Sequence, residues 1–413
     1  KDECTMLQGN AGGFCMTDGE DDYPLQETAD GYFAVVDHIP SKGYRSFRLA
    51  EKKAAEEIPA DSLKITEEGA ETPYFKVTWN EKGQFTGIYD KAADRELLPE
   101  GTCGNVIMSY EDRPHNYDAW DINHYYKEKS WEVDQVSSMT VEEEGPLRAC
   151  LRIERPYLGS VIVQYVYFYR DLYRIDIRNE IDWKEKNILL RCYYPVDVHA
   201  SEATYEIQYG NVKRPAHFNT SWDDAKFEVC AHKWIDFSED DYGLSVINDC
   251  KYGCDIHSGR IGLTMLKSAV YPNPMADKEH HTFTWSLCPH TGRWQEADTV
   301  AKAYLLNDPY RAVIKKNHGG TLPAAASFVS VDVPNVVIET VKKAEDSDRT
   351  VIRMYECWNR RSTAVLTFDG TILSAAETNL LEEEAQPLSA EGNRLQIGIR
   401  PYEIKTIMVD LAR

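Results

Sequence analysis

Alternation of apolar and polar residues with a period of two dominates this sequence and confines it to β structure. The run Val161-Ile-Val-Gln-Tyr-Val-Tyr-Phe-Tyr169 is β-branched or aromatic at nearly every position. Asp171 and Leu172 separate it from Tyr173-Arg-Ile-Asp-Ile-Arg178, which alternates cleanly, so the two read as a hairpin with the second strand buried on one face only. Further strands are expected at 75–79, 106–110, 243–247, 351–357, 363–368, 395–399 and 404–409. Glu81-Lys-Gly83 and Asp369-Gly370 supply turn punctuation between them. Helical periodicity is scarce. The stretch 50–58 is rich in Ala, Glu and Lys and reads as two turns stopped by Pro59. The stretch 296–306 places Val300, Ala301, Tyr304 and Leu305 on one helical face.

Many short strands and few helices argue for an all-β chain built of sandwiches. Two irregular stretches punctuate it, the polar 50–62 and Lys315-Lys-Asn-His-Gly-Gly-Thr-Leu-Pro323. The expected organisation is a small N-terminal β unit and linker (1–61), a large central, supersandwich-like β-sandwich (62–322) and a C-terminal β-sandwich (323–413). At 413 residues the chain is long enough to bury a sizeable core without disulfide or metal staples. Ten cysteines show no Cys-x-x-Cys spacing, and several sit inside apolar runs, so they read as buried, reduced thiols.

A formal net charge of −22 repels phosphate backbones and anionic lipid, which argues against nucleic-acid or membrane-surface partners. No run approaches the roughly 18 apolar residues of a membrane helix. The N-terminus, Lys1-Asp2-Glu3-Cys4, reads as neither a secretory leader nor an initiating methionine, so a fragment of a longer protein is expected. A cytoplasmic location is the expectation that goes with reduced thiols.

The segment Glu111-Asp-Arg-Pro-His-Asn-Tyr-Asp-Ala-Trp-Asp-Ile-Asn-His-Tyr-Tyr126 follows a strand and is predicted to be a loop. It sets Asp112, Asp118 and Asp121 among Tyr117, Trp120, Tyr125 and Tyr126. Carboxylates accept from hydroxyl groups and flat rings cover the C–H face of a sugar, so carbohydrate contact is one reading. The other is a loop whose aromatics plug the core and whose aspartates cap turns. Asp118 and Asp121 as the two carboxylates of a glycosidase is disfavoured, because a close acidic pair is expected by chance among 68 acidic residues. The turn Asn248-Asp249-Cys250-Lys251-Tyr252-Gly253 closes a buried strand and offers Asp249, Lys251 and Tyr252 to a ligand, or else is a solvated hairpin. His280 and His281 point to opposite faces of a strand and carry no metal-ligand spacing, and His290 reads as a hydrogen-bonded structural histidine. Nucleophile-elbow, phosphate-loop and dinucleotide motifs are absent, and no metal is expected within this chain.

In their order these segments resemble a known family. Asn105 through Glu111-Asp-Arg-Pro114, Asp118-Ala-Trp-Asp-Ile122, Tyr242-Gly-Leu-Ser-Val-Ile-Asn-Asp-Cys-Lys-Tyr-Gly253, Tyr271-Pro-Asn-Pro-Met-Ala-Asp277 and Pro289-His-Thr-Gly292 look like the central β domain of bacterial-type α-mannosidases of glycoside hydrolase family 38. Val341-Lys-Lys-Ala-Glu-Asp346, Arg353-Met-Tyr-Glu356, Glu377-Thr-Asn-Leu-Leu-Glu382 and Pro401-Tyr-Glu-Ile-Lys-Thr406 extend the similarity to the end of the chain. The resemblance implies retaining hydrolysis of α-mannosides with an active-site zinc. It also implies that the nucleophile and zinc ligands belong to an N-terminal α/β barrel and the helical region after it, whose motifs this sequence lacks. No catalytic residue and no metal ligand is therefore carried over; this chain alone is expected to be inactive, with zinc belonging to the full-length enzyme. By resemblance, Asp118, Trp120, Asp121, Asp249, Lys251 and Tyr252 line the side facing the barrel and contact substrate. Some family members have arginine near Lys251, and a planar fork is not equivalent to a point charge. The expected partners are the N-terminal catalytic part and α-mannoside glycans, with a homo-oligomer left open. A stand-alone carbohydrate-binding sandwich and a pure structural scaffold remain the alternatives, and the barrel-facing surface is expected to be unusually apolar.

Overall fold

The computed structural model describes residues 2–7 (backbone), 14–51, 62–316 and 319–412. Two β-sheets packed face to face form its centre. One is a six-stranded sheet of β1 (Val106–Glu111), β2 (Ser130–Glu132), β3 (Ile188–Pro195), β4 (Val229–Cys230), β5 (Gly253–His257) and β6 (Arg260–Lys267), in the spatial order β2-β1-β3-β6-β5-β4. The other has nine strands and contains the expected hairpin, as Ser160–Tyr169 against Ile175–Asp182 with Gln164 opposite Asn179. The hairpin is more deeply buried than its alternation implied. Asp176, on the polar side of the second strand, is itself buried and accepts the Tyr169 hydroxyl at 2.7 Å.

Alternation decides which side chains meet between the sheets. Leu190, Cys192 and Tyr194 of β3 and Ile256 of β5 face Ile162, Val166, Ile177, Leu244 and Trp285 of the nine-stranded sheet. A five-stranded sheet over 64–96 adds Phe75, Val77, Phe85 and Ile88 to the same core. A polar group runs through this core. Arg155, Gln164, Asn105 and Asn179 are buried; Gln164 Oε1 accepts from Arg155 at 2.8 Å and from Asn105 at 2.9 Å, and Gln164 Nε2 donates to Asn179 at 3.0 Å. Each donor and acceptor on Gln164 thus has a partner, which buried amides require.

Residues 329–412 build a separate sandwich, with a three-stranded sheet against a five-stranded one around Ile338, Ile352, Met354, Leu366, Ile397 and Ile407. The strands expected at 351–357, 363–368, 395–399 and 404–409 lie here as Thr350–Glu356, Ser362–Phe368, Arg394–Ile399 and Ile404–Ala412. Small sheets over 2–51 complete the fold, and Gly43–Arg45 pairs with Ala325–Ser327.

The helix expected at 296–306 forms over Thr299–Asn307, but its docked face differs. Ala303 is fully buried, with Val300 and Leu306 beside it, against Trp234, Ile247 and Trp294, while Ala301 is exposed. The position of the sheet groove, not the helix's own apolar count, sets this rotation. The expected helix at 50–58 lies almost wholly outside the described residues; its first residue, Ala50, belongs to the strand Arg48–Glu51. The nine cysteines with described side chains are free, and Cys15, Cys150, Cys192, Cys254, Cys288 and Cys357 are buried. Among the described residues no helix is long and apolar enough to cross a membrane.

Candidate functional site

Strand register brings both sequence-derived segments to one end of the six-stranded sheet. β1 runs out at Glu111 opposite Ile188, and β6 ends at Lys267 opposite Leu189. β5 starts at Gly253, one residue before the Cys254–Leu263 pair. The 112–129 strap therefore leaves and returns at the end where the 249–252 turn enters, together with the 268–277 segment. β1 and β5 stand three strand spacings apart, about 14 Å. No hydrogen bond joins the strap to the turn among the described residues.

The strap is anchored at its base and its middle. Asp112 N donates to Asn187 O at 2.8 Å, and Glu111 N to Lys129 O at 3.1 Å, closing the loop over its own root. The Asp112 carboxylate is buried and ion-paired with Lys267. Burial raises its carboxyl above the usual aspartate value, with the Lys267 ammonium pulling the other way. Tyr126 sits in the short 3₁₀ turn His124–Glu128 and is 4% exposed. Its hydroxyl accepts from Arg191 Nη1 at 2.6 Å and its ring meets Tyr110 edge-on at 5.0 Å. Asp112 and Tyr126 therefore leave the set of sugar-contact candidates and hold the strap down on the outer face of the sheet.

The six candidate positions differ in what they offer. Asp118 is half-buried and its two oxygens accept the Val270 and Tyr271 amides, at 2.8 and 3.1 Å, so it pins the strap to the 268–277 segment. Trp120 is 70% exposed, with Tyr117 edge-on at 6.1 Å. Tyr117 adopts a left-handed φ of 54°, and its carbonyl accepts the Trp120 amide at 2.8 Å, a turn that leaves both rings outside. Asp121 is exposed and its carboxylate makes no hydrogen bond among the described residues. Across the sheet end, Asp249 accepts the Thr284 amide on Oδ2 at 2.9 Å, while its Oδ1 is buried without a hydrogen bond. The Lys251 ammonium lies 4.8 Å from the Phe283 ring centroid and forms no ion pair among the described residues. Tyr252 is part-exposed and meets His232 edge-on at 4.9 Å.

A groove of about 470 Å³ runs beside the strap, walled by Arg113, His115, Tyr117, Asp118, Asn187 and Tyr271 among others. The candidate set from sequence omitted Tyr271, although the residue is 61% exposed and shares this groove. Only the amide contact with Asp118, across more than 150 residues, reveals the link, and no local spacing signals it. Trp131 and Met275, on the neighbouring β2 and 268–277 segments, are exposed as well. His290 is buried, with Nε2 2.9 Å from Asp236 Oδ2 and Nδ1 3.1 Å from Gly292 O, which is the structural arrangement expected of it. Among the described residues no three His, Cys, Asp or Glu side chains come together to hold a metal ion, so the zinc of the family resemblance finds no ligand set there.

The raised carboxyl of Asp249 gives a testable consequence. Burial pushes its value above 3.8. A group whose folded value lies above its unfolded one contributes fully below the unfolded value and loses that contribution as pH rises through the folded one. Asn cannot ionise and retains an oxygen for the Thr284 amide. The urea midpoint of Asp249→Asn, relative to the unsubstituted chain, should therefore improve between about pH 4 and about pH 7. A difference that stays flat or moves the other way would show that the carboxylate is not desolvated.

Comparison with known proteins follows the same geography. Residues 70–275 match the model of the glycosyl hydrolases family 38 C-terminal domain, and residues 335–407 that of the family's C-terminal beta sandwich domain. Alpha-mannosidase 2C1 of Homo sapiens is 34% identical over 353 residues, covering 81% of this chain and 33% of that protein. Alpha-mannosidase G of Dictyostelium discoideum is 33% identical over 345 residues, covering 81% of this chain and 32% of that protein. The chain thus spans about a third of the length of these curated relatives. The crystal structure of an alpha-mannosidase from Enterococcus faecalis superposes with a TM-score of 0.76 at 16% identity, over 96% of this chain and 51% of that one, a likeness of fold.

Proposed function

The chain belongs to glycosyl hydrolases family 38, whose two C-terminal domains it carries, and on that premise we propose that it is the non-catalytic β portion of a retaining α-mannosidase. It lines the active-site cleft with the sheet end that bears Trp120 and Lys251, and it supports an N-terminal catalytic part. The observation that carries this reading is coverage: the match to relatives more than 30% identical to this chain covers only about a third of their length. What a family shares at a site must still be argued from the site itself.

Three features support the cleft-wall role. Trp120 and Tyr117 present exposed rings at the same sheet end as the 249–252 turn. Lys251 brings to that end a cation that forms no ion pair among the described residues. Asp118 and Asp249 spend carboxylate oxygens on backbone amides, so they shape the wall. Direct contact then falls to Trp120, Lys251 and Tyr252, with Asp121 at the rim. Zinc, where the catalytic part holds it, supplies Lewis-acid and substrate-orienting chemistry. The proposed substrates are α-mannoside glycans and the proposed location is the cytoplasm.

The test is a substitution in the enzyme that contains both parts. A tryptophan platform grips substrate and transition state alike, so its removal should act on KM. Trp120→Ala is expected to raise KM for a mannoside substrate about ten- to a hundredfold, with kcat within about twofold, from the loss of one buried aromatic contact. Unchanged kinetic constants for Trp120→Ala and Lys251→Met together would assign this surface to scaffolding.

A further inference from the structure

The outer face of the six-stranded sheet holds a second cavity, at the end away from the strap root. It measures about 240 Å³ and is walled by Lys127, Phe218, Asp255, His257, Ser258 and Arg260. Its far wall, His257, stands the length of β5 from the 249–252 turn, about 13 Å at the rise of a strand. Cys254 and Ile256 point into the core, so Asp255 and His257 point outward, into this cavity.

Its floor carries one buried acceptor without a partner among the described residues, His257 Nδ1, beside the Asp255 carboxylate that pairs with Arg191. Asp255 is 1% and His257 7% exposed. His257 Nε2 lies 3.2 Å from Lys226 O, which can only accept, so Nε2 bears the proton and Nδ1 presents a lone pair. That Nδ1 is buried without a hydrogen bond. Burial also holds the imidazole below its ordinary value, which keeps the ring neutral. Asp255 Oδ1 is paired in charge with Arg191, yet no donor is aligned on it. Buried acceptors of this kind are satisfied in native proteins by water or a ligand.

The rim has the opposite character. Lys127 Nζ lies 5.5 Å from the Tyr126 ring and Arg260 Cζ 4.3 Å from the Tyr193 ring. Neither forms an ion pair among the described residues, although the chain as a whole carries −22. Phe218 closes one wall, stacked on His257 at 3.9 Å.

We propose that this cavity binds a small hydroxylated anion of hexose-phosphate size, with a hydroxyl group donating to His257 Nδ1 and the anionic group held by Lys127 and Arg260. The His257 acceptor inside selects a hydroxyl donor, and two cations outside, neither in an ion pair among the described residues, select negative charge. The volume lies below the range of ordinary drug-sized pockets, which fits one sugar unit and not an oligosaccharide. The site takes Lys127 from the strap but none of the residues proposed to contact glycan, and its occupancy does not depend on mannosidase activity.

Calorimetric titration of the 413-residue chain with a hexose 6-phosphate, inorganic phosphate and the neutral hexose tests this. The hexose 6-phosphate should bind at least about tenfold more tightly than either part alone. Arg260→Gln and Lys127→Met should each weaken it about tenfold while leaving the unfolding midpoint in place. His257→Phe should bring the hexose 6-phosphate down to the affinity of phosphate. That variant also loses the Lys226 contact, so the two rim variants decide the matter if it fails to fold. Absence of binding at millimolar hexose 6-phosphate, equal affinity for phosphate, or binding unmoved by both rim variants would each overturn the assignment.

Discussion

Replacing Asp255 with alanine should cost the central sandwich about 3–5 kcal/mol, read as a large fall in the urea midpoint of its tryptophan fluorescence. The reason lies in Arg191, whose side chain is fully buried on the outer face of β3. Burial alone would pull the guanidinium toward deprotonation, but Asp255 and then Glu228 more than offset this and hold it well above its ordinary value. Without Asp255 the cation keeps only the Tyr126 hydroxyl at 2.6 Å and the Tyr193 ring at 5.3 Å as direct partners. Removing one member of a buried pair leaves the other charge desolvated, which is far costlier than removing both. The double variant Arg191→Met/Asp255→Leu should therefore recover most of the loss. A change below about 1 kcal/mol for Asp255→Ala would mean that water reaches the pair.

The strap shows how much was legible beforehand and what hid the rest. Its existence followed from Pro114 and a polar run after a strand, and its neighbouring strands followed from alternation, because a period of two is a property of local sequence. The fate of each ring did not follow. Tyr125 and Tyr126 are adjacent and chemically identical, yet one is 52% and the other 4% exposed. What separates them is the Arg191 guanidinium, 65 positions away, under only one of the two. Asp118 likewise reads from sequence as a substrate contact or a turn cap, and the amides that occupy it come from residues 270 and 271. The docked face of the Thr299–Asn307 helix was misjudged for the same reason, since Trp234 and Trp294 lie on separate segments. Local patterns reveal elements; long-range partners assign side chains. The family resemblance was legible because it rests on the order of several short motifs, none of which needs a contact map.

Hydrolysis is the second large effect. Retaining glycosidases place two carboxyl groups about 5–5.5 Å apart around the scissile bond, one ionised and one protonated. The acids at this sheet end are otherwise engaged. Asp112 pairs with Lys267, Asp118 holds two amides, and Asp249 holds one. Asp121 and Glu128 of the strap are exposed and make no hydrogen bond among the described residues, so no partner holds either in the fixed position that a catalytic pair needs. Catalysis of this class accelerates the reaction at least about a millionfold, so presence or absence of the catalytic part should be unmistakable in a rate.

The measurement that decides the account is hydrolysis of an aryl α-mannoside, with added zinc, by this chain alone and by the same chain joined to the upstream sequence of its gene. The account predicts that the isolated chain stays at the rate of the blank while the longer protein turns over. Turnover by the isolated chain would contradict it, and would return Asp118 and Asp121 to the place of the catalytic pair.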